Sequence, residues 1–256
     1  MLRTVREVFT FFFFLGKRSQ KLKVFFLLSL LPVALAIVVR MTFMRRSSEV
    51  MSVFQEILMV YFLQFLIIIL TLFYGTSVCS EEIEGKTLPY LTTRPLTKSG
   101  IIIGKFAAYT ALSAVMVIVS LVASYLIMSF QRLGEAATYG ALLRYTGVLI
   151  LGLMAYTAMF TFLGTFLKKS ILIGLVFGFG WETAIQYFPG STQRFSVVHY
   201  LKSLLPYFSK GKFSLLMFRL EPTSPVLAVL VLLLITSGFL GLACLFFSLK
   251  EYMFED

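Results

Sequence analysis

The stretch ILMVYFLQFLIIILTLFYGTSV, residues 57–78, decides the fold of this chain. It carries no charged side chain, and apolar residues fill most of its positions. The hydrocarbon core of a bilayer is about 30 Å thick, and about 20 apolar residues of α-helix are needed to cross it. The stretch therefore predicts a transmembrane helix.

Five more apolar stretches have a similar length, namely 24–44, 106–128, 147–167, 170–188 and 225–248. The chain has 256 residues, of which 59% are hydrophobic and only 14% charged. A soluble domain needs more polar residues than this to cover its surface. We predict an all-α polytopic membrane protein with six transmembrane helices. The connections between the spans are too short to fold alone, so we expect residues 1–256 to form a single transmembrane domain.

The N-terminal region holds a shorter apolar run, VFTFFFFL, at residues 8–15. Its flanks are basic, with Arg3 and Arg6 before it and GKRSQKLK after it. The run is too short to cross a bilayer, and it predicts an amphipathic helix that lies in the membrane interface within residues 1–23. A cleaved secretory signal is the alternative, and it is disfavoured because no small-residue cleavage site follows the apolar run.

The distribution of lysine and arginine predicts the orientation of the first span. Six of these residues precede the span and three follow it, so we expect the N-terminus to be cytoplasmic. With six spans the C-terminus is cytoplasmic too, in a multi-pass protein of the inner (plasma) membrane. The formal net charge of +11 could suggest a nucleic acid partner. We expect none, because the basic residues cluster at the ends of apolar segments.

The sequence SEEIEGKT at residues 80–87 resembles the end of a nucleotide-binding P-loop. However, Ser80 stands where that loop needs its first glycine, and the three glutamates would repel the phosphates. The chain also has no aspartate placed after an apolar strand to hold magnesium. We therefore expect that this chain binds no ATP or other cofactor and catalyses no reaction. No histidine or cysteine cluster has the spacing of metal ligands, so we expect no metal site either.

The same residues fit a helix that ends and then restarts. The second span can continue through the acidic run and end at Gly85, since glycine is a common helix terminator. Thr87 can then cap a short new helix, which Pro95 ends. Leu88 and Leu91 are three residues apart and so lie on one face of that helix. This connection is predicted to form a small amphipathic helix across the membrane face.

Glu182 is an acidic residue at the end of an apolar segment, next to Trp181. A charge at membrane depth is a functional candidate, while a position in the interfacial aromatic belt is equally open. Arg194, in the following loop, is the expected pairing partner of Glu182. His199 is the only histidine and is predicted outside the spans, which disfavours an intramembrane protease. We expect this histidine, in a basic external loop, to be solvated.

Two longer motifs resemble a known family. The stretch EEIEGKTLPYLTTRPLTKSGIIIGK, residues 81–105, resembles the cytoplasmic coupling helix in the membrane subunits of ABC-2-type exporters. The stretch WETAIQYFPGSTQRFSVVHYLKSLLP, residues 181–206, resembles the external connection of that family, in which short helices re-enter the outer leaflet. The resemblance covers the chain by topology, with a coupling segment at 79–105 and an external loop at 189–224.

The resemblance implies the permease subunit of an ATP-driven exporter, which forms the translocation path and couples to a separate ATPase subunit. That subunit would bind ATP and magnesium, and a second permease copy would complete the path within the lipid. Leu88 and Leu91 would be the apolar side chains that enter the ATPase cleft. The other implied site residues are an acidic run that pairs with the partner or caps helices (Glu81, Glu82 and Glu84), residues that shape the bends (Gly85, Thr87 and Pro95), and a possible path or external gate (Trp181, Glu182 and Arg194).

Two further points stay open at this stage. Gly174 and Gly178, followed by Gly180, permit close helix approach, either between two subunits or inside one. An ATP-independent channel or secondary transporter is the alternative function. Such proteins usually have ionisable residues in several spans, and this sequence offers little beyond Gln64 and Glu182. An intramembrane enzyme and a permease-like regulatory subunit are further alternatives.

Overall fold

The computed structural model describes residues 2–42, 47–84, 97–132, 134, 136–167, 169–187, 191–205 and 223–249. All regular secondary structure in these ranges is helical. In chain order the α-helices are α1 (Leu2–Arg18), α2 (Gln20–Thr42), α3 (Ser47–Ile57), α4 (Ile67–Glu84), α5 (Lys98–Met128), α6 (Ala136–Phe166), α7 (Ser170–Leu175), α8 (Glu182–Tyr187), α9 (Val197–Leu204) and α10 (Pro225–Leu249). Two π-helices, Leu58–Leu66 and Val176–Trp181, join α3 to α4 and α7 to α8, and 3₁₀ turns lie at Phe130–Arg132 and Ser191–Phe195.

Within the described ranges, five helices are long and apolar enough to cross a membrane: Gln20–Thr42, Val50–Cys79, Lys98–Met128, Ala136–Phe166 and Pro225–Leu249. They correspond to five of the six predicted spans. The remaining prediction, 170–188, corresponds to the shorter apolar helix Ser170–Gln186. At 1.5 Å per residue this helix is about 25 Å long, less than the hydrocarbon core it was expected to cross. The count of six spans therefore stays a prediction.

The helices α4 and α6 form the centre of the bundle, and glycines allow them to pack closely. A Cβ atom added to Gly164 of α6 would lie 2.8 Å from the carbonyl oxygen of Thr76 in α4. A Cβ atom added to Gly75 would lie 2.9 Å from the Cβ atom of Phe160. Real side chains do not approach this closely, so the two helices touch through their backbones at these positions.

The bundle has two ends, which we call the Glu84 end and the Ala136 end. The Glu84 end carries the flanks of residues 85–96, and the Ala136 end carries the start of α6. An aromatic cluster closes the Ala136 end, where the ring of Phe54 lies 5.2 Å from Tyr125 and 5.9 Å from Tyr145. The Tyr125 hydroxyl donates a hydrogen bond of 3.0 Å to the carbonyl of Thr138, which joins α5 to α6.

The helix α1 packs along the first half of α5. Thr4 contacts Gly100 and Val8 contacts Gly104, and the contacts advance together along both helices, so the two run in the same direction. A Cβ atom on Gly104 would lie only 2.8 Å from the Cβ atom of Val8. A helix is present at Leu2–Arg18, whereas the interfacial helix predicted within residues 1–23 stays a prediction.

A short bend at Ser19 separates α1 from α2. The Ser19 amide donates to the carbonyl of Gly16 at 3.1 Å, and the Ser19 hydroxyl accepts a hydrogen bond from the Leu22 amide at 3.2 Å. A serine oxygen that accepts from a first-turn amide is the usual cap of a helix start. The polar residues between the two apolar runs therefore end one helix and begin the next.

The glycine pattern of the fifth apolar segment faces the inside of this chain. A Cβ atom on Gly178 would meet Ile68 of α4, and Gly174 packs on Phe160 of α6. Of the two alternatives that the sequence left open, packing within one subunit therefore accounts for Gly174 and Gly178. The nearest atom to a Cβ on Gly180 belongs to Val176 of the same helix, at 3.8 Å.

Candidate functional site

Three of the predicted coupling residues lie at the Glu84 end. The backbone of α4 continues helically through Glu81, Glu82 and Glu84, as expected for a span that extends through the acidic run. Five predicted site residues lie outside the described ranges: Gly85, Thr87, Leu88, Leu91 and Pro95. The structure therefore defines the two helices that flank these residues, the end of α4 and the start of α5.

A buried lysine joins three helices beside this segment. Lys105 of α5 is only 1% exposed, and its ammonium group donates a hydrogen bond to the carbonyl oxygen of Val78 in α4 at 2.9 Å. The same nitrogen lies 4.3 Å from the ring centre of Phe12 in α1, within the range of a cation–π attraction. An unpaired buried ammonium group would be costly, so these contacts hold α1, α4 and α5 together.

Glu182 lies at the far end of the fifth apolar segment and anchors α9. Its side chain is buried at 2% exposure. One carboxylate oxygen accepts a hydrogen bond from the Ser196 hydroxyl, and the other accepts from the Val197 amide at 3.1 Å. The buried Tyr156 hydroxyl of α6 interacts with the same carboxylate without reaching hydrogen-bond geometry. Because Val197 is the first residue of α9, the carboxylate caps this helix from outside.

A second polar contact ties the last turn of α9 to the same region. The side-chain oxygen of Gln186 accepts hydrogen bonds from the Gln64 amide at 2.8 Å and from the Lys202 ammonium group at 2.6 Å. Burial lowers the pKa of Lys202 to about 8, and the charge of Glu182 acts in the opposite direction. The second span, α8 and α9 therefore meet at Gln186.

The only histidine also belongs to this region. Its Nε2 atom lies 3.0 Å from the Thr223 hydroxyl, and its backbone carbonyl accepts a hydrogen bond from Ser203 at 2.8 Å. The Thr223 amide donates to the Ser203 hydroxyl at 3.3 Å. His199 thus helps to hold α9 against the residues just before α10. It is 2% exposed, so the expectation of a solvated histidine is wrong.

The predicted external gate residues separate into a buried and an exposed group. Trp181 is 49% exposed and stacks on Phe177 with ring centres 6.2 Å apart. Arg194 is exposed, and the hydrogen bonds of the Glu182 carboxylate go to Ser196 and the α9 backbone instead. The predicted Glu182–Arg194 pair is therefore wrong. The start of α9, and not a cation, is the partner of Glu182.

The helix α9 reaches deep into the bundle. Leu201 is fully buried and packs on Gly152, close to the side chain of Ile67. Gly152 lies near the middle of α6, and Ile67 begins α4 in the middle of the second span. Part of the predicted external segment thus lies inside the bundle, about halfway between the Ala136 end and the Glu84 end.

Both π-helices lie beside the region where α8 and α9 meet the second span. Each interrupts an apolar helix, and the rings of Phe65 and Phe179, one from each π-helix, lie 6.1 Å apart. The Gln64–Gln186 hydrogen bond joins the first π-helix to α8, which directly follows the second. π-helical turns often occur at functional sites, and here they occur on both sides of one polar contact.

Comparison with known proteins places the chain in a family. The sequence pattern described as "ABC-2 family transporter protein" matches residues 16–181, well over half of the chain. The chain belongs to the ABC-2 transporter family. No curated protein matches it. Family membership and the apolar helices identify this ABC-2 protein as a multi-pass membrane permease of the ABC transporter type. Such a permease is the membrane component and not the ATPase.

The matched range includes the region around Lys105 but not the region around Glu182 and α9. It includes the whole segment 79–105 with Lys105, and it ends at Trp181. Glu182 and α9 of this ABC-2 protein follow the matched range.

Sequence reasoning missed three residues of these polar contacts. Lys105 was a visible signal, since it is a cation inside the apolar run of α5. Gln186 and Lys202 gave no such signal, because polar residues are common in a loop and at a helix end. Only the fold of residues 181–187 and 191–205 shows that Gln186 contacts both Gln64 and Lys202.

Proposed function

We propose that this chain is the membrane-spanning subunit of an ATP-driven exporter, and that it couples to a separate ATPase subunit through residues 79–105. The family match, which includes that entire segment, carries the proposal. The segment that would contact the ATPase is flanked by α4 and α5, and a buried hydrogen bond joins these helices. A displacement applied to residues 85–96 would therefore reach the helix bundle directly.

In this proposal the apolar side chains of Leu88 and Leu91 enter a cleft of the ATPase. The glutamates of the α4 extension pair with basic groups of that partner or cap the helices on either side of Gly85. Thr87 and Pro95 shape the start and end of the short helix. ATP and magnesium bind to the partner subunit, where their binding and hydrolysis produce the movement.

A second permease copy, identical or related, completes the translocation path. The chain lies in the inner (plasma) membrane with both termini in the cytoplasm, which places the Glu84 end beside the ATPase. The Ala136 end then faces outward, with α9 as a re-entrant element of the external segment 189–224. Trp181, Glu182 and Arg194 belong to the path or external gate, and the hydrogen bonds that join Glu182 to Ser196 and Val197 of the external segment support this assignment.

The first test is purification of the tagged chain from its native membranes in mild detergent, with mass spectrometry of the proteins that accompany it. We expect a stoichiometric soluble subunit that carries a complete P-loop. Recovery of the chain alone, folded and able to transport or conduct in liposomes without ATP, would overturn the proposal. That result would favour the channel or secondary transporter.

A double variant tests the coupling segment itself. Replacing Leu88→Glu and Leu91→Glu places two charges where the proposal requires apolar contacts, so we expect loss of the ATPase subunit from the purified complex. The matched control is Leu143→Glu, because Leu143 is an exposed leucine of α6 near the Ala136 end. Retention of the ATPase by the double variant would show that residues 88 and 91 do not form the contact.

A further inference from the structure

Lys105 occupies a position that packing alone does not explain. The side chain is almost fully buried, and removing an ammonium group from water costs several kcal/mol unless its contacts compensate. A methionine would fill a similar volume at no such cost. The lysine therefore contributes contacts that an apolar side chain lacks, namely the Val78 hydrogen bond and the Phe12 ring.

The place of this lysine along the chain is also specific. Val78 lies six residues before Glu84, and Lys105 lies seven residues after Lys98. Glu84 and Lys98 are the helix ends on either side of the central part of the coupling segment, residues 85–96. At 1.5 Å per residue, each contact is about 10 Å along its helix from that central part. The hydrogen bond therefore fastens the two flanks of the segment to each other, one to two turns inside the bundle.

Phe12 extends the connection to α1. The helix α1 lies against α5 at backbone distance, since a Cβ atom on Gly104 would be 3.0 Å from the carbonyl oxygen of Val5 and 2.8 Å from Val8. Only the bend at Ser19 separates α1 from α2, the first span.

We propose that Lys105 is a positioning residue that fastens α1 to both flanks of the coupling segment, so that the ATPase moves α1 and the first span together with that segment. This inference rests on the proposed function. Without the ammonium group the coupling segment still binds the ATPase, because the residues proposed to contact it, from Glu81 to Pro95, are unchanged. The movement is then no longer passed to α1.

The test measures the position of α1 with and without nucleotide. Spin labels are placed on Phe14→Cys in α1 and Leu245→Cys in α10, two exposed positions, after Cys79→Ala and Cys244→Ala remove the native thiols. The purified permease–ATPase complex in nanodiscs is compared without nucleotide and with ATP, Mg²⁺ and vanadate. Double electron–electron resonance measures the distance between the two labels. In the complex that keeps Lys105 and Phe12, we expect this distance to change when nucleotide is bound.

Three variants identify the origin of that shift. Lys105→Met is expected to keep the ATPase subunit and lose the shift, and Lys105→Arg, which keeps the charge, is expected to retain it. Lys169→Met is the matched control, because Lys169 is an exposed lysine that lies outside residues 79–105. If Lys105→Met does not yield a folded complex, Phe12→Leu tests the same link without leaving a buried charge unpaired, and it should reduce the shift.

An unchanged shift in Lys105→Met, or in Phe12→Leu where that variant replaces it, would overturn the inference. So would the absence of a shift from the unmodified complex when the ATPase is bound. If the ATPase subunit does not accompany the unmodified chain at all, the proposed function itself fails, and copurification reports this before any distance is measured.

Discussion

The capping of α9 by Glu182 gives the sharpest prediction about the outer region. Both oxygens of the carboxylate accept hydrogen bonds, one from the Ser196 hydroxyl and one from the Val197 amide. The backbone at Ser196 is extended, and its own side chain does not cap the helix. Replacing Glu182→Gln keeps the size of the side chain and removes its negative charge. The start of α9 should then open more often.

The size of the effect follows from the two hydrogen bonds. Bonds to a charged group contribute about 1.5–3 kcal/mol, and neutral bonds about 0.5–1.5 kcal/mol. A loss of about 1 kcal/mol in each bond gives about 2 kcal/mol in total. Since 1.4 kcal/mol corresponds to a tenfold change in an equilibrium, local opening of α9 should become about 30-fold more frequent. Ser196→Ala removes one of the two bonds and should have a smaller effect in the same direction.

Hydrogen–deuterium exchange of the protein in nanodiscs measures this opening. Peptides from residues 191–205 should exchange faster in Glu182→Gln, while peptides from α5 and α6 should not change. Glu7→Gln is the matched control, because Glu7 pairs with Arg3 on an exposed surface, where such pairs contribute little. Unchanged exchange in α9, or an equal increase in every helix, would refute the capping argument.

Three further predictions concern packing, protonation and one hydrogen bond. Gly164→Ala should lower the thermal unfolding temperature, since overpacking costs about 1–3 kcal/mol, whereas Gly147→Ala, with open space around the glycine, should not; equal effects would contradict the close helix contact. Lys202, whose pKa burial lowers from 10.5 to about 8, should show a labelling midpoint near pH 8 with acetic anhydride. Between pH 8 and 10.5 this lysine is protonated more in the unfolded chain than in the folded chain, so it should make the folded state more stable as the pH rises from about 8 to 10.5. A labelling midpoint near that of exposed lysines would contradict the prediction. Tyr61→Phe removes the 2.8 Å hydrogen bond to the Leu28 carbonyl and should cost about 1 kcal/mol in the free energy of unfolding by denaturant; no loss would show that this bond between the first two spans contributes nothing.

Hydropathy was sufficient to predict the helices that are long enough to cross the membrane. The spans around 24–44, 57–78, 106–128, 147–167 and 225–248 each correspond to a helix long enough to cross the membrane, because an apolar run of that length has few other stable conformations. The run at 170–188 satisfied the same rule, yet its helix, Ser170–Gln186, is shorter than the five spans. A π-helix lies inside this helix, as one also lies inside the second span. The number of apolar residues in a segment does not show where its backbone hydrogen bonds change register.

Partners of polar residues could not be predicted in this way. The sequence marks Glu182 as unusual, but it suggests a cation, Arg194, as the partner. The helix start at Val197 supplies the positive end instead, and only a tertiary fold can bring a helix terminus 15 residues away to a carboxylate. Gly174 and Gly178 illustrate the same limit, since a small-residue pattern indicates close packing without naming the neighbour.

The pairing of α1 with α5 also has a consequence for biosynthesis. Thr4 packs on Gly100, so the first helix leaves the ribosome long before its partner exists. Chains grow by about 5–20 residues per second, so α1 waits roughly 5–20 s for α5. Phe12 and Val8 need a cover during this time, since exposed apolar side chains are unfavourable in water. The lipid surface or an insertion factor must therefore hold the N-terminus until the third span arrives.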